Sequence, residues 1–342
     1  MQACETQLQH LKEILQNFTI SSGLRVNYHK SCLVPINVYQ GKANTLANVF
    51  GCLVGSFPFT YLGLPMGLTK PQVKDYAPLI SRIERRLSAS SQFLSYAGRL
   101  QLVNSVLSSL PTYYMCSLKL PVTVVEIIDK HRKKCLWRGS DFRKKGYTLA
   151  AWELVRRPKE KGGLGVINLS VQNDALLLKQ LDKLYRKENI QWVKLIWQKH
   201  YPDGVPHIRR ERGSFWWKDI LRLHIQYRGV AYCIPGKGDT VSFWDDLLNG
   251  SVHSQKYPHL LNFAKEPRIS FQKMRDAEPL LSSFRIPMTR QAYNEFLELQ
   301  TELLQMHPAN SDVNDCWQFI WGNQNYSSSK YYRYQYASLN PP

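Results

Sequence analysis

Three consecutive helical patterns between Pro71 and Gly139 constrain the fold of this chain more than any other feature. Residues 72–88, 96–110 and 122–138 each carry apolar side chains three or four positions apart, and short connections separate them. Apolar residues at that spacing share one face of an α-helix and are buried against a neighbour. The spacing therefore predicts a small bundle of three helices.

The residues before Pro71 combine one helical pattern with short β-like stretches. Residues 5–20 predict an amphipathic helix that Gly23 ends, as glycines commonly do. Residues 25–28, 31–38 and 59–64 have the alternation or the β-branched and aromatic content of strands. A helix followed by short strands is what one edge of a larger α/β sheet would contain.

The second half of the chain predicts further helices and one β-like segment. A helix that Asn168 or Ser170 could cap is expected through about 188 and another at 191–200, and others begin at Ser214 and Thr289, residue types that favour helix N-caps. Residues 229–247 are β-like. We therefore assign the chain to the α+β class, with a small α/β part followed by a mainly helical remainder.

Charge is concentrated in one segment. The chain has a net charge of +19, which favours polyanionic partners. Residues 130–161 contain twelve basic and three acidic side chains, a net +9. The interleaved aromatic residues are Trp137, Phe142, Tyr147 and Trp152. Basic groups bind phosphates and flat side chains stack on bases, so this segment predicts a nucleic-acid surface. The alternative is a solvated charged surface with Trp137 and Trp152 in the core.

Other sequence features exclude several protein classes. Seven scattered cysteines show neither C-x-x-C spacing nor a disulfide framework, which favours a reducing compartment and gives no zinc signature. The chain contains no apolar run of about 18 residues and no signal-peptide pattern at Met1. We expect an intracellular protein of the nucleus or cytoplasm that is not secreted, with no membrane partner and no small-molecule ligand.

Three motifs, in this order, carry a resemblance to a known family. They are Gly-Leu-Arg-Val-Asn-Tyr-His-Lys-Ser at 23–31, Tyr-Leu-Gly-Leu-Pro-Met-Gly at 61–67 and Pro-Lys-Glu-Lys-Gly-Gly-Leu-Gly-Val at 158–166. Their order and spacing resemble the stretch after the catalytic carboxylates in the reverse transcriptase of plant LINE-type (non-LTR) retrotransposons. The resemblance extends over nearly the whole chain.

The resemblance implies a domain organisation. Residues 1–70 would be the end of the palm, 71–165 a helical thumb with a basic exit, and 166–310 a helical connector with a short β segment. Residues 311–342 would begin a zinc-binding domain and stop before its ligands. The carboxylates that hold magnesium would precede Met1, so we expect no cofactor and no polymerase activity from the chain alone.

The resemblance also implies roles for individual residues. Lys30 stands where a lysine is proposed to protonate the departing pyrophosphate, a role suited to an ammonium group; otherwise it is a solvated lysine. In the family the hairpin 61–67 touches the primer, where Gly63 permits close approach and Tyr61 offers a flat face; otherwise it is a plain hairpin. The predicted nucleic-acid contacts are Tyr61, Gly63, Lys133, Lys134, Arg138, Arg143, Lys144, Lys145, Arg156 and Arg157.

Two short sequences resemble catalytic motifs without matching them. Residues 161–166 are glycine-rich but lack the phosphate-loop pattern and a preceding strand, so we expect a simple turn. Phe243-Trp244-Asp245-Asp246 has the outline of the polymerase aromatic-x-Asp-Asp box, whose paired carboxylates two-metal catalysis requires. It lies far downstream of the palm-like motifs, and we expect a turn with a buried Trp244.

These interpretations predict a catalytically incomplete fragment of a retrotransposon RNA-directed DNA polymerase. It would bind RNA or RNA–DNA hybrid without regard to base sequence. Two alternatives stay open: a polymerase part that a separate palm completes in trans, and a helical protein-interaction module with no nucleic-acid role.

Overall fold

The computed structural model describes most of the chain. The described residues are 3–90, 94–138, 148–202, 204–206, 213–248, 250–305, 313–322 and 324–340, without the side chains of 88–90. They form two units, one up to Tyr76 and one from Ala77 onward. Helices predominate and the sheets are small, which confirms the α+β class. Among the described residues, no helix is both long and apolar enough to cross a membrane.

The smaller unit is built from two helices and two strand pairs. Its elements are α1 (Glu5–Ser22), β1 (Cys32–Leu33), α2 (Gln40–Phe50), β2 (Leu53–Val54), β3 (Phe59–Tyr61) and β4 (Leu64–Met66). β1 and β2 pair in parallel across α2, and β3 and β4 form an antiparallel hairpin. As predicted, Gly23 ends α1: it has φ 72° and its N–H donates to the Thr19 carbonyl.

The prediction of a strand at 25–28 is wrong. Tyr28–Lys30 form a 3₁₀ turn, because the Asn27 side chain accepts a hydrogen bond from the Lys30 N–H at 3.1 Å. Local side-chain acceptors of this kind compete with strand pairing. The second predicted strand shortens to β1, and sequence reasoning missed α2 altogether.

The larger unit begins with the predicted bundle. Its first helices are α3 (Ala77–Ser90), α4 (Tyr96–Leu102), α5 (Thr112–Ser117), α6 (Val122–Arg138) and α7 (Trp152–Val155). α3 and α4 both pack on α6. The predicted helix at 96–110 changes to a π-helical turn at Val103–Leu107, and α5 follows Pro111.

The remaining helices surround a second core. They are α8 (Leu169–Tyr185), α9 (Gln191–His200), α10 (Phe215–Leu221), α11 (His224–Arg228), α12 (His253–Lys256), α13 (Pro258–Leu261), α14 (Phe271–Arg275), α15 (Arg290–Gln305) and α16 (Ser328–Tyr334). Asn168 and Ser214 cap α8 and α10 through their side chains, and Thr289 accepts from the Ala292 N–H at the start of α15. These three helix starts were predicted.

A four-stranded sheet lies in this core. Its strands are β5 (Ala231–Ile234), β6 (Leu247–Leu248), β7 (Ser251–Val252) and β8 (Cys316–Phe319), in the order β7-β6-β5-β8. β8 pairs antiparallel with β5, and α16 packs on α8. The last strand and helix thus share one hydrophobic core with the preceding helices. The division of the chain into four domains stays a prediction.

Candidate nucleic-acid interface

α6 is the central element of the basic segment. Its apolar stripe faces the bundle and is fully or almost fully buried. The buried apolar residues are Val124, Val125, Ile128, Cys135 and Leu136. The opposite side of the helix carries Lys130, which is exposed, and ends at the exposed Arg138. α6 is therefore anchored by one side and presents basic groups on the other.

Arg132 lies on the buried side of α6 and is 0% exposed. Its guanidinium donates to Asp129 Oδ1 at 2.7 Å, to Ser108 Oγ at 2.9 Å and to the Ile167 carbonyl at 2.6 Å. Its Cζ also lies 5.6 Å from the centre of the Trp152 ring. A buried charge needs such partners. Arg132 is one of the twelve basic residues of the segment, but its partners are internal and its role is therefore structural.

Arg156 takes part in the same network. Its Nη1 lies 3.4 Å from Asp129 Oδ2, and its Nη2 pairs with Glu153. Only 17% of its side chain is exposed. Arg156 thus helps to neutralise the carboxylate that Arg132 also contacts, and its predicted role at a phosphate stays a prediction.

Arg157 is half-buried beside the glycine-rich turn. Its carbonyl accepts from the Gly165 N–H at 3.0 Å, and a Cβ at Gly163 would lie 2.0 Å from that carbonyl oxygen. The Leu164 N–H donates to the Val155 carbonyl. These backbone amides donate to carbonyls of α7 and of the residues just after it, which agrees with the predicted turn.

Lys133 and Lys134 are half-buried on α6. Lys133 Nζ lies 5.5 Å from the centre of the Trp152 ring, a cation–π arrangement that holds the ammonium next to a flat side chain. Burial lowers the pKa of His131 between them and α3, and the charges of Lys134 and Lys130 lower that pKa further against the opposing effect of Glu84. Acidic and basic side chains therefore both border His131, and its lowered pKa follows mainly from burial.

α3 adds basic residues that the sequence reasoning did not assign to the interface. Arg82, Arg85 and Arg86 are exposed on α3, which packs against α6. The two helices also meet where His131 Nε2 lies 3.5 Å from Glu84 Oε1. The signal was present in the sequence, because three arginines lie within five residues of an otherwise amphipathic helix.

Tyr61 and Gly63 lie at the tip of the β3–β4 hairpin in the smaller unit. Tyr61 is 59% exposed and pairs with Leu64, so Leu62 and Gly63 form a two-residue turn. Their φ angles are 49° and 83°, the left-handed conformation that such turns require. Lys30 is exposed at the end of its 3₁₀ turn in the same unit. Their roles at a primer or a pyrophosphate stay predictions.

Three predicted contacts, Arg143, Lys144 and Lys145, lie outside the described residues, as do Phe142 and Tyr147. In the described residues the segment brings together Arg132, Lys133, Trp152 and Arg156.

The Asp245-Asp246 pair is part of a buried structural network. Asp246 is 0% exposed, accepts from the Ser242 N–H at 2.6 Å and lies 2.6 Å from Arg228 Nε. Burial raises the pKa of the Asp246 carboxyl. Trp244 is 0% exposed, as expected. Among the described residues, no group of three or more His, Cys, Asp or Glu side chains could hold a metal ion.

Comparison with known proteins adds one similarity. No family model matches the chain. An alignment of 185 positions, which covers 50% of the chain, is 34% identical to the Arabidopsis thaliana protein named "Putative ribonuclease H protein". The match spans 28% of that relative's length, so the similarity concerns a part of it.

Proposed function

We propose that this chain binds RNA or RNA–DNA hybrid without regard to base sequence, as a catalytically incomplete part of a retrotransposon RNA-directed DNA polymerase. The observation that carries this proposal is the basic outer side of α6, with Lys130, Lys133, Lys134 and Arg138, beside the exposed arginines of α3. Ammonium and guanidinium groups bind phosphate oxygens and release counterions from the nucleic acid.

The internal contacts of the segment support this arrangement. Arg132 and Arg156 neutralise Asp129 inside the unit and fix α6 against Trp152, so they position the surface. Lys130, Lys133 and Arg138 lie on the side of α6 away from this network, where they would face the backbone of a strand. The partial match to a relative named for a ribonuclease H also supports a nucleic-acid role.

Filter binding over a salt series tests the binding proposal. We expect the logarithm of the association constant to fall linearly with the logarithm of salt concentration, by about 0.9 for each phosphate contact on duplex. Sequences of different base composition should bind with similar affinity. An affinity that does not change with salt would contradict the electrostatic interface.

Primer extension with magnesium tests the claim of catalytic incompleteness. We expect no synthesis from the chain alone, because Asp246 is paired with Arg228 and the described residues contain no carboxylate cluster that could hold a metal ion. Template-dependent incorporation of nucleotides would overturn this claim.

Completion in trans is a second candidate function, favoured by the β1–β2 pair. Parallel strands are normally covered on both faces within a larger sheet, yet in the described part of the chain this sheet has two strands and Leu53 is 69% exposed. A separate palm could supply the remaining strands and the carboxylates. Mixing the chain with a palm fragment that carries them should then restore synthesis, and absence of synthesis in the mixture would contradict this candidate.

A further inference from the structure

α15 has two apolar surfaces, and only one of them is buried in the core. The buried residues are Ala292, Phe296 and Leu299. A second set is 49%, 43% and 80% exposed: Tyr293, Leu297 and Leu304. At about 100° per residue, the second set lies within roughly 40° around the helix axis and spans about 16 Å. Exposed apolar side chains that share one side of a helix, here with Gln300 and Thr301 between Leu297 and Leu304, are a candidate interaction surface.

Leu297 also lines a shallow groove of about 640 Å³ between α15 and α12. The other lining residues are Lys256, Tyr257, Glu298, Thr301, Glu302 and Gln305. The α12 wall is fixed, because Glu302 Oε2 accepts from the Tyr257 hydroxyl at 2.6 Å and from Lys256 Nζ at 2.7 Å. The apolar stripe and the groove lie side by side along α15, and together we call them the α15 groove.

The charge of α15 is opposite to that of the chain. The helix carries Glu295, Glu298 and Glu302 against Arg290, a net −2 in a chain of +19. Glu298 is exposed in the groove. In the groove lining Glu302 pairs with Lys256, so Glu298 gives the lining a net charge of −1. A negative lining repels the phosphates of a nucleic acid and favours a cationic partner. A second copy would bring the same acidic helix and is disfavoured.

We propose that the α15 groove binds an amphipathic helix of another protein, with apolar side chains at i, i+4 and i+7 and lysine or arginine beside them. The apolar side chains would pack on Tyr293, Leu297 and Leu304, and the cations would face Glu298, which is the helix-in-groove mode of recognition. This surface is independent of the proposed nucleic-acid interface.

Fluorescence anisotropy with a synthetic amphipathic peptide tests the proposal. The probe is a labelled 18-residue helix of leucine and lysine, and its comparison peptide has glutamate at each lysine position. The chain's net charge repels the lysine peptide, so its binding requires a local acidic site. We expect Leu297→Ser/Leu304→Ser and Glu298→Lys each to weaken binding at least about tenfold, as hot-spot residues do.

Matched controls are Ile225→Ser, an exposed apolar residue on α11, and Glu126→Lys, an exposed carboxylate on α6. Both should leave peptide affinity unchanged, and the α15 variants should bind nucleic acid as the unaltered chain does. Equal binding of the glutamate peptide, or unchanged binding by the α15 variants, would overturn the proposal. So would a dimer in sedimentation equilibrium that Leu297→Ser/Leu304→Ser abolishes, because the occupant would then be a second copy.

Discussion

Arg132 connects α6 to Ser108 and to the Ile167 carbonyl, and it faces Asp129 without exposure to solvent. We predict that Arg132→Leu lowers the free energy of unfolding by about 3 kcal/mol, because Asp129 then keeps a buried charge with one partner fewer. Urea denaturation followed by circular dichroism measures this loss. Lys130→Leu, on the exposed side of the same helix, should change stability little.

The same variant separates two roles for Arg132. If its guanidinium contacted phosphates, Arg132→Leu would weaken nucleic-acid binding and leave stability unchanged. That result would contradict the buried network.

Gly163 is a position where only glycine fits. A Cβ there would lie 2.0 Å from the Arg157 carbonyl oxygen, and backbone cannot yield as a flexible side chain can. We predict that Gly163→Ala destabilises the larger unit by several kcal/mol or rearranges the turn, as an overpacked site does. Gly204→Ala is the control, because no described atom lies within 4 Å of its Cβ position. Equal melting temperatures for both variants would contradict this geometry.

His253 gives stability a pH dependence. It is 0% exposed, its Nδ1 lies 2.8 Å from the Phe243 carbonyl, and burial lowers its pKa below 6.5 despite Glu302. The unfolded chain therefore holds this proton more tightly, and the free energy of unfolding falls as pH falls through about 6.5. Urea titrations at pH 7.5 and 5.5 should show a smaller fall in His253→Asn. An equal fall in both proteins would contradict the burial of a neutral imidazole.

The inward orientation of Arg132 could be inferred from the sequence. Arg132 stands three residues after Asp129 and on the stripe of Val125, Ile128 and Cys135, and both facts indicate an inward side chain. The partners Ser108 and Ile167 are distant in sequence, and only the fold brings them to the guanidinium.

Among the elements, the β3–β4 hairpin offers a direct test of turn chemistry. Leu62 has φ 49°, a conformation that asparagine adopts more readily than leucine, and Asn-Gly is the preferred pair in turns of this type. We predict that Leu62→Asn stabilises the hairpin by a few tenths of a kcal/mol. Slower amide exchange on β3 and β4 would show this, and faster exchange would contradict the turn geometry.

Helix prediction succeeded where an apolar stripe and a cap coincide. α1 with Gly23, α8 with Asn168 and α9 lie close to their predicted bounds. α2 was missed because its buried residues include the small Ala43 and Ala47, which give a weak apolar signal. β8 became a strand through its pairing with β5, a contact between segments about 80 residues apart that local patterns do not contain.

At the scale of the whole molecule, charge composition located a basic segment but could not tell which of its basic side chains are exposed. The first part of the basic segment lies on α6, a predicted helix, and carries Lys133, Lys134 and Arg138, whereas the helix α7 was not predicted. Which charges turn inward depends on packing, and Arg132 and Arg156 are paired with Asp129. The α3 arginines extend the basic side because α3 packs on α6, a tertiary contact that composition does not reveal.

The most direct test of the central claim compares salt slopes for two double variants of equal charge change. Lys133→Glu/Lys134→Glu alters the basic side of α6, and Lys194→Glu/Lys199→Glu alters exposed positions on α9. Filter binding to an RNA–DNA hybrid should show a slope smaller by about one to two units for the α6 variant and little change for the α9 variant. Equal slopes for the two variants would contradict a nucleic-acid interface on α6.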